Sequence, residues 1–297
     1  MSLVKSHSVG HGDMFYIKHN SDNFTIIDSF LDDDNKERIL NELIKESEGK
    51  GIIRFISTHP DEDHICGLKY IDDKMKLLNF YCAKNDATKD EESIDFNRYC
   101  ELRDSSKAFY LEEGCSRKWM NQDGNDVNGV HRGSSGINIL WPNTNNKFYK
   151  EALQVAKEGG SPNNISVIIK YSLQGGVTIL WMGDLETDFM ENIKDDLSLP
   201  KVNILFAPHH GRDSGKVPKK LLEEMNPDVI IIGEAPEEHL NNYTGYNTIW
   251  QNDAEDILFD CVGSKVHIYA SNNSYKASFL DDEKKNDYKY YLGTLNL

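Results

Sequence analysis

Short apolar runs alternate with segments of helical period along almost the whole chain. Nine runs rich in Val and Ile, each bounded by Gly, Asn or Asp, are typical of buried strands. They are Met14–Ile17, Phe24–Ile27, Gly51–Ser57, Asn138–Leu140, Ser166–Tyr171, Val177–Met182, Val202–Ala207, Val229–Ile232 and Lys265–Tyr269. Four amphipathic stretches predict helices: Asn35–Glu48, Glu91–Arg103, Tyr149–Lys157 and Pro218–Met225. Strands in both halves with helices between them indicate packed sheets with helices outside.

Two glycine-containing segments predict connections. Gly175-Gly176 in "SLQGGVTIL" predicts a hairpin turn between two strands. The polar Gly/Asn run from Asn121 to Gly136 predicts a surface loop, with a flap over a site as the alternative. No internal repeat and no linker divides the chain, so we expect residues 1–297 to form a single domain.

Composition narrows the class of protein. The 297 residues include 49 acidic and 33 basic side chains, a formal charge of −16, which disfavours a dedicated nucleic-acid surface. The five cysteines are scattered without a CxxC pair and indicate reduced packing residues. No run of about 18 apolar residues and no secretory h-region is evident, so we expect a cytoplasmic protein with no membrane partner.

The stretch "THPDEDH" places two histidines and three carboxylates directly after a predicted strand. Pro60 favours an extended conformation at His59, which therefore ends the strand. Asp61 and Asp63 then lie in a turn, and His64 opens the helical pattern "HICGLKYI". Such a turn brings imidazoles and carboxylates to one point, which suits a divalent cation. The alternative is that Asp63 only caps the helix.

Two later strands also end in metal-ligand residue types. "VTILWMGDLE" delivers Asp184, and "VNILFAPHHGR" delivers His209 and His210. One polar strand end is common, whereas three with metal-binding side chains are much less so. A glycine beside the reactive groups fits close backbone approach around a site.

In that order, "THPDEDHICGL", "WMGDLE" and "APHHGR" resemble the metallo-β-lactamase-fold hydrolases. The pattern is most similar to the branch that resembles the metallo-hydrolase domain of ComEC/Rec2 competence proteins, in which HxDxDH replaces HxHxDH. "SVGHGDMFYI" with "FTIIDSF" is similar to the opening strands of that family, and "PNNISVIIKY" to the segment before its "GDLE". The resemblance implies an α+β fold, a four-layer αββα sandwich with a metal site along one edge.

The resemblance also implies a set of metal ligands. They are His59 and Asp61 for one ion, Asp63 and His64 for a second, Asp184 as a bridge, and His209 or His210 closing the second site. Asp61 replaces the commoner histidine, so Mn²⁺ or Fe becomes a rival to Zn²⁺. Asn163-Asn164 stands where relatives place a third histidine, which leaves open whether one ion or two bind; His131 is a further candidate for the missing ligand.

Several residues near these motifs have expected secondary roles. Asp13 and Asp28 are expected to brace the metal-binding loops. Substrate contact is expected from four polar side chains, with surface packing as the alternative for the two tyrosines: Asn163, Asn164, Tyr243 and Tyr246.

The predicted function is metal-dependent hydrolysis. A bound ion lowers the pKa of water from about 16 to near 7 and so supplies hydroxide, with Asp63 as the expected proton acceptor. A small phosphodiester or phosphate ester fits the acidic chain best, and a nucleic acid is the further possibility. The alternatives are an ester, lactone or thioester substrate, or a degenerate metal-binding scaffold that serves a partner.

Overall fold

The computed structural model describes residues 1–235 and 241–297. Two β-sheets and a small hairpin contain the strands of these residues except the short Ser29–Phe30, which forms isolated bridges to Ile65 and Cys66. Numbered along the chain, the strands are β1 Ser2–Ser6, β2 Phe15–Lys18, β3 Asn23–Ile27, β4 Ser29–Phe30, β5 Ile52–Ile56, β6 Phe80–Ala83, β7 Ala108–Leu111, β8 Gly124–Asn125, β9 His131–Arg132, β10 Ile137–Trp141, β11 Ile168–Ser172, β12 Thr178–Trp181, β13 Ile204–Phe206, β14 Val229–Ile232, β15 Thr248–Trp250, β16 Ile257–Val262, β17 Lys265–Ala270 and β18 Tyr291–Asn296.

The sheets combine antiparallel and parallel pairing. The first sheet has the order β18-β17-β16-β1-β2-β3-β5-β6-β7, in which β3, β5, β6 and β7 run parallel. The second has the order β10-β11-β12-β13-β14-β15, parallel from β12 onward. Since parallel strands end at the same edge, residues that follow β5 in one sheet and β12 and β13 in the other can meet.

Helices cover the outer face of each sheet. They are α1 Lys36–Ser47, α2 Glu62–Ile65, α3 Leu68–Met75, α4 Ile94–Arg103, α5 Lys147–Lys157, α6 Thr187–Ile193, α7 Lys219–Met225 and α8 Gln251–Ala254. Local capping sets where several begin: Ser93 accepts from the Phe96 amide at the start of α4, and Asn146 accepts from the Phe148 and Tyr149 amides at the start of α5.

Three apolar clusters show a four-layer stack. The middle cluster joins the facing sides of the two sheets through residues such as Ile17, Ile56, Ile169 and Ile204. A second cluster packs helices α5, α6 and α7 on the outer side of the second sheet. A third packs α1, α3 and α4 on the outer side of the first. Helix, sheet, sheet and helix therefore follow one another, as the αββα prediction requires.

The elements predicted from periodicity are present. All nine strands and four helices occur within a few residues of their expected bounds, and Gly175-Gly176 turns β11 into β12. The "HICGLKYI" pattern divides into α2 and α3 because Gly67 takes a left-handed conformation, φ 83°. Strands such as β6 and the last strand, β18, extend the first sheet beyond the predicted set.

The Gly/Asn-rich segment lies at the end of the fold away from the strand ends that carry the metal-ligand motifs. Arg132 forms an ion pair with Asp22, and the Gly133 carbonyl accepts from Asn23, both at the start of β3. His59 instead follows the end of the neighbouring strand β5. The flap alternative is therefore wrong, and His131, exposed on the β8–β9 hairpin, does not supply the missing ligand.

No helix in the described ranges combines the length and the apolar character that a bilayer crossing requires.

A buried carboxylate fixes the β1–β2 connection, which leads to Asp13. Asp256 accepts from the Ser8 amide at 2.8 Å and from Arg38 at 2.8 Å, and Lys5 lies 3.3 Å away. Burial alone raises the pKa of this carboxyl, but His7 and Lys5 outweigh it and hold the pKa well below its usual range. The ionised carboxylate therefore stabilises the fold and the path of this connection.

We expect Asp256→Asn to lower the free energy of unfolding by about 3 kcal/mol at pH 7, because it leaves the largely buried Lys5 and the half-exposed Arg38 without their carboxylate partner. A carboxyl with a depressed folded pKa contributes stability above its unfolded pKa, near 4, and loses it as the pH falls through the folded pKa. The difference between variant and wild type should therefore shrink below about pH 4 in urea unfolding followed by circular dichroism. Exposed Asp253→Asn is the control; equal effects of the two variants would contradict the assignment.

Candidate metal centre

Three strand ends converge at one edge of the two sheets. Thr58 and His59 follow β5, Asp184 follows β12, and His210 follows β13. Their backbones are joined directly: the His209 amide donates to the Gly183 carbonyl at 3.0 Å. The two sheets therefore contribute to a single constellation, as the sequence motifs predicted for this edge.

Four side chains form what we call the central cluster: Asp63, His64, Asp184 and His210. His64 Nε2 lies 3.0 Å from Asp184 Oδ1, and His210 Nε2 lies 3.6 Å from Asp184 Oδ2. His210 Nε2 also lies 3.3 Å from Asp63 Oδ2, and His64 Nε2 lies 3.9 Å from Asp63 Oδ1. Two imidazole nitrogens and two carboxylates thus face a common point.

Close packing around Gly183 places Asp184. A Cβ atom on Gly183 would lie 2.7 Å from Ser166 Oγ and 3.0 Å from Thr58 Cβ, and the residue has φ 51°. The Asp184 amide donates to the same Ser166 hydroxyl at 3.1 Å. Only glycine fits this approach of β12 to the β5 loop.

Backbone strain is concentrated at the site. Asp28, His209 and His210 take left-handed conformations with φ of 54°, 51° and 56°. Each such non-glycine residue costs on the order of 1–3 kcal/mol and persists only where its surroundings hold it. The cost identifies this edge as a place where side-chain direction outweighs backbone preference.

Carboxylates orient the cluster histidines. His64 Nδ1 lies 3.0 Å from Asp28 Oδ2, and His210 Nδ1 lies 3.1 Å from Asp13 Oδ1. A carboxylate there can only accept, so each Nδ1 carries the hydrogen, and Nε2 is the nitrogen that faces the cluster. The expected bracing positions of Asp13 and Asp28 are observed.

His59 lies beside the cluster with a similar orientation. The Thr58 hydroxyl donates to Asp28 at 2.6 Å, so it accepts from His59 Nδ1 at 3.1 Å. That leaves His59 Nε2 as the free nitrogen, and the ring centroids of His59 and His64 are 4.1 Å apart. Asp28 therefore fixes two neighbouring imidazoles, one directly and one through Thr58.

The donor set fits a divalent cation. Within residues 1–235 and 241–297, His59 Nε2 is buried at the site without a hydrogen-bond partner, and His64 Nε2 and Asp184 Oδ1 have only each other, 3.0 Å apart. Buried polar atoms are nearly always well paired, so these three atoms together indicate a ligand. One ligand atom each from Asp13, His64, Asp184 and His210 lie within 4.8 Å of one another. Imidazole and carboxylate suit Zn²⁺, Mn²⁺ or Fe.

The carboxylates around the central cluster favour positive charge on its histidines. Burial opposes protonation of His64, but Asp184 and Asp28 outweigh it and raise its pKa well above the usual range. Burial is likewise outweighed at His210, where Asp184 and Asp13 raise the pKa to about 10. Burial and the neighbouring His64 lower the pKa of His59 to about 4. Two of the three imidazoles thus hold a proton that a metal ion would replace.

Besides His59, two predicted ligands lie outside the central cluster. Asp61 accepts from Lys89 Nζ at 2.8 Å and from the Glu62 amide at 2.9 Å. His209 lies at the rim, where its Nδ1 is 3.0 Å from Ser214 Oγ and its Nε2 3.7 Å from Asp184 Oδ2. Of the histidine pair, His210 is the member that enters the cluster.

The side chains of Asn163 and Asn164, which were expected to contact substrate, form hydrogen bonds with Glu186. Asn164 donates to Glu186 at 2.7 Å and accepts from its amide at 3.0 Å, while Asn163 lies 3.4 Å from the same carboxylate. This bonding holds the loop after Asp184. Substrate contact by either amide stays a prediction.

The two tyrosines do not share one environment. Tyr243 is 3% exposed within the outer apolar cluster of the second sheet, which corrects its expected role as a substrate contact. The Tyr243 ring packs into this apolar cluster although its neighbours in "NNYTGYN" are polar. Tyr246 is half-buried against the same cluster.

Three contributors were not singled out in the sequence. They are Thr58, Lys89 and Glu186. Thr58 adjoins the motif, but its role depends on Asp28, 30 positions away. Lys89 lies in the acidic segment "KNDATKDEE", which carries no signal for a partner. Each acts through contacts between distant segments, which a local pattern does not encode.

Comparison with known proteins places the fold. No protein-family model matches the sequence, and no curated protein matches it. Among solved structures, the chain is similar to Igni18, a metallo hydrolase from the hyperthermophilic archaeon Ignicoccus hospitalis, with TM-score 0.50 and 15% identity over 87% of this chain and 99% of that chain. The chain shares the fold of Igni18. The predicted four-layer αββα sandwich is confirmed.

Two further solved structures match at lower scores. CmlA, a diiron β-hydroxylase from Streptomyces venezuelae, gives TM-score 0.42 and 10% identity over 78% of this chain and 44% of that chain. The DIM-1 metallo-β-lactamase gives TM-score 0.29 and 18% identity over 61% of this chain and 64% of that chain. The conclusion about the fold depends on Igni18.

We expect Asp28→Asn to weaken zinc binding about 10–100-fold, because it removes the acceptor that orients His64 and, through Thr58, His59. Competition with a chromophoric chelator measures the change in Kd. Asp22→Asn, at the opposite end of β3, is the matched control and should leave the Kd unchanged. Equal loss in both variants would indicate a general effect of β3 rather than orientation of the ligands.

Metal uptake should release protons. His64 and His210 hold protons at neutral pH, so each released proton makes the metal Kd tighten about tenfold per pH unit as the pH rises. Calorimetric titration of zinc between pH 6 and 8, in buffers of different ionisation enthalpy, measures the number released. A Kd independent of pH would show that neither imidazole is displaced from its proton.

Proposed function

We propose that this protein is a metal-dependent hydrolase whose central cluster binds the metal. The observation that carries the proposal is the convergence of buried imidazole and carboxylate atoms from both sheets, with His59 Nε2 beside them lacking a hydrogen-bond partner among the described residues. The bound cation supplies two effects: it lowers the pKa of water toward 7 and polarises the scissile bond. Retention of the oriented imidazoles argues against a degenerate scaffold, which has no need of them.

The chain's own residues divide the remaining work. His64, His210 and Asp184 hold the ion, and Asp13 and Asp28 fix the direction of the two imidazoles. His59 borders the same space with a free Nε2. Rigid strand ends carry these groups, which limits their movement during a reaction.

Asp63 joins the ion to the solvent side of the site. Its side chain is 29% exposed, against 3% for Asp184, so water and substrate can reach it. Burial raises the pKa of a carboxyl, but the hydrogen bond from His210 outweighs it and lowers the pKa of Asp63 to about 2. Its carboxylate faces the same point as the cluster imidazoles, with Oδ2 3.3 Å from His210 Nε2. We therefore assign Asp63 first to the metal and second to proton transfer.

For the substrate class we propose a small phosphodiester or phosphate ester. The support is the HxDxDH pattern shared with the ComEC/Rec2-like branch and a formal charge of −16, which opposes long polyanions. Lys89, 2.8 Å from Asp61 at the border of the site, adds a local cation that an anionic ester can meet.

Turnover of chromogenic substrates tests the function. With Zn²⁺ or Mn²⁺ supplied, we expect hydrolysis of a phosphodiester panel, a weaker response to carboxylic esters, and loss of activity in chelator. Asp184→Asn should reduce kcat/KM at least about 100-fold, because it removes a ligand that contacts both imidazoles of the cluster.

The control is Asp188→Asn, the same substitution at an exposed position four residues further on. It should retain wild-type kcat/KM. Hydrolysis of esters alone would move the substrate to the ester, lactone or thioester class. Metal-loaded protein without turnover on either panel would overturn the hydrolase proposal.

A further inference from the structure

We propose that Lys89 takes the place of one metal ion in this centre. Its ammonium group holds Asp61, so the protein binds a single tight divalent cation at the central cluster. The inference rests on the proposed function, because it concerns the metal ion that serves it. It assigns Lys89 as a positioning residue that sets the metal stoichiometry.

One oxygen of the Asp61 carboxylate, Oδ1, is already engaged by two donors. Lys89 Nζ donates to Asp61 Oδ1 at 2.8 Å, and the Glu62 amide donates to the same oxygen at 2.9 Å as part of the α2 cap. The Lys89 side chain is 21% exposed, and its ammonium also lies 5.5 Å from the centroid of the Phe96 ring. The ammonium therefore has a defined place beside the carboxylate, which the aromatic face supports.

The central cluster has no comparable cation. In the part of the chain that the structure describes, the ion pairs of Asp63 and Asp184 are all with histidines. A divalent ion is therefore drawn to the cluster, where negative charge is not matched by a fixed cation, rather than to Asp61, where it is. The two halves of the edge differ in charge balance, although both contain metal-ligand residue types.

The half of the site next to Asp61 is poor in charged ligands. Asn164 uses both ends of its side-chain amide on Glu186, and Asn163 uses its amide nitrogen there, while Asn163 Oδ1 is buried without a hydrogen-bond partner in the described ranges. With Asp61 held by Lys89, His59 is left as the imidazole of this half, with Asp184 shared from the cluster. Catalytic zinc sites use about three protein ligands, so two do not hold a tight ion.

Metal stoichiometry tests the inference without reference to activity. Protein is titrated with Mn²⁺ as the probe, and bound metal is measured by elemental analysis and by electron paramagnetic resonance. We expect wild type to bind one tight equivalent with a mononuclear signal. Lys89→Met keeps the length of the side chain and removes the charge; it should tighten the second Mn²⁺ at least tenfold and give an exchange-coupled signal.

Two further variants make the result specific. Lys157→Met breaks another Lys–Asp ion pair, with Asp86 at 3.3 Å, and should keep the wild-type stoichiometry. Asp61→Asn added to Lys89→Met should remove the gained second ion. Circular dichroism and gel filtration verify that each variant is folded, and Lys89→Gln replaces Lys89→Met if the latter is not.

Two outcomes would overturn the inference: wild type that binds two tight equivalents and loses one in Asp61→Asn, or Lys89 variants that bind a second ion no better than wild type. Failure of the proposed function looks different. Protein with one tight ion and the expected response to Lys89→Met, but without turnover of any ester, would sustain the metal assignment and reject hydrolysis.

Discussion

Buried negative charge without a fixed cation is the constraint from which the site follows. Asp184 is almost fully enclosed and faces imidazoles, while Asp28 lies fully buried behind them. Removing carboxylates from water costs several kcal/mol each unless a positive partner compensates them. In this fold, the compensation comes from protonated histidines or from a metal ion that replaces their protons. Metal binding and folding stability are therefore coupled. Without the ion, protonated histidines must neutralise the buried carboxylates; with the ion, the metal neutralises them instead.

The sheets meet this constraint by delivering one component each. The first sheet supplies the "HPDEDH" turn and its brace Asp28, and the second supplies Asp184 and the histidine pair. The β1–β2 connection closes the arrangement: the Asp13 amide donates to the Asp63 carbonyl at 3.1 Å, and a Cβ on Gly12 would lie 2.6 Å from that oxygen. The histidines are thus held from behind by elements that belong to the cores on either side, which explains why strained backbone at His209 and His210 persists.

Much of this could be predicted from the chain alone, because the relevant signals are local. Val/Ile runs with polar boundaries located the central strands, and ligand residues directly after three of them located the site. The role of Tyr243 was misjudged because its sequence neighbours are polar, whereas the apolar cluster that buries it is assembled only on folding. The edge strand β18 contains Gly293 and pairs through a register shift, so its periodicity is weak.

Other features depend on pairs that are distant in sequence. The capture of Asp61 by Lys89 joins two segments separated by 28 positions, and neither segment alone indicates the contact. The same holds for Asn164. It was expected to contact substrate, and its side chain donates a hydrogen bond to Glu186, 22 positions later. Residue type identified which side chains could bind a metal. Which of them have another partner was decided by packing, and a single sequence contains no direct record of packing.

The small β8–β9 hairpin has a practical consequence. The ion pair between Arg132 and Asp22 attaches the hairpin to the start of β3, a full strand length from the histidines. Val127, in the turn of the hairpin, is 99% exposed. A cysteine introduced there could tether the molecule to a sensor chip or carry a dye, leaving the reactive edge turned toward the solution. Immobilised samples prepared in this way would allow metals and esters to be exchanged over the same molecules in sequence.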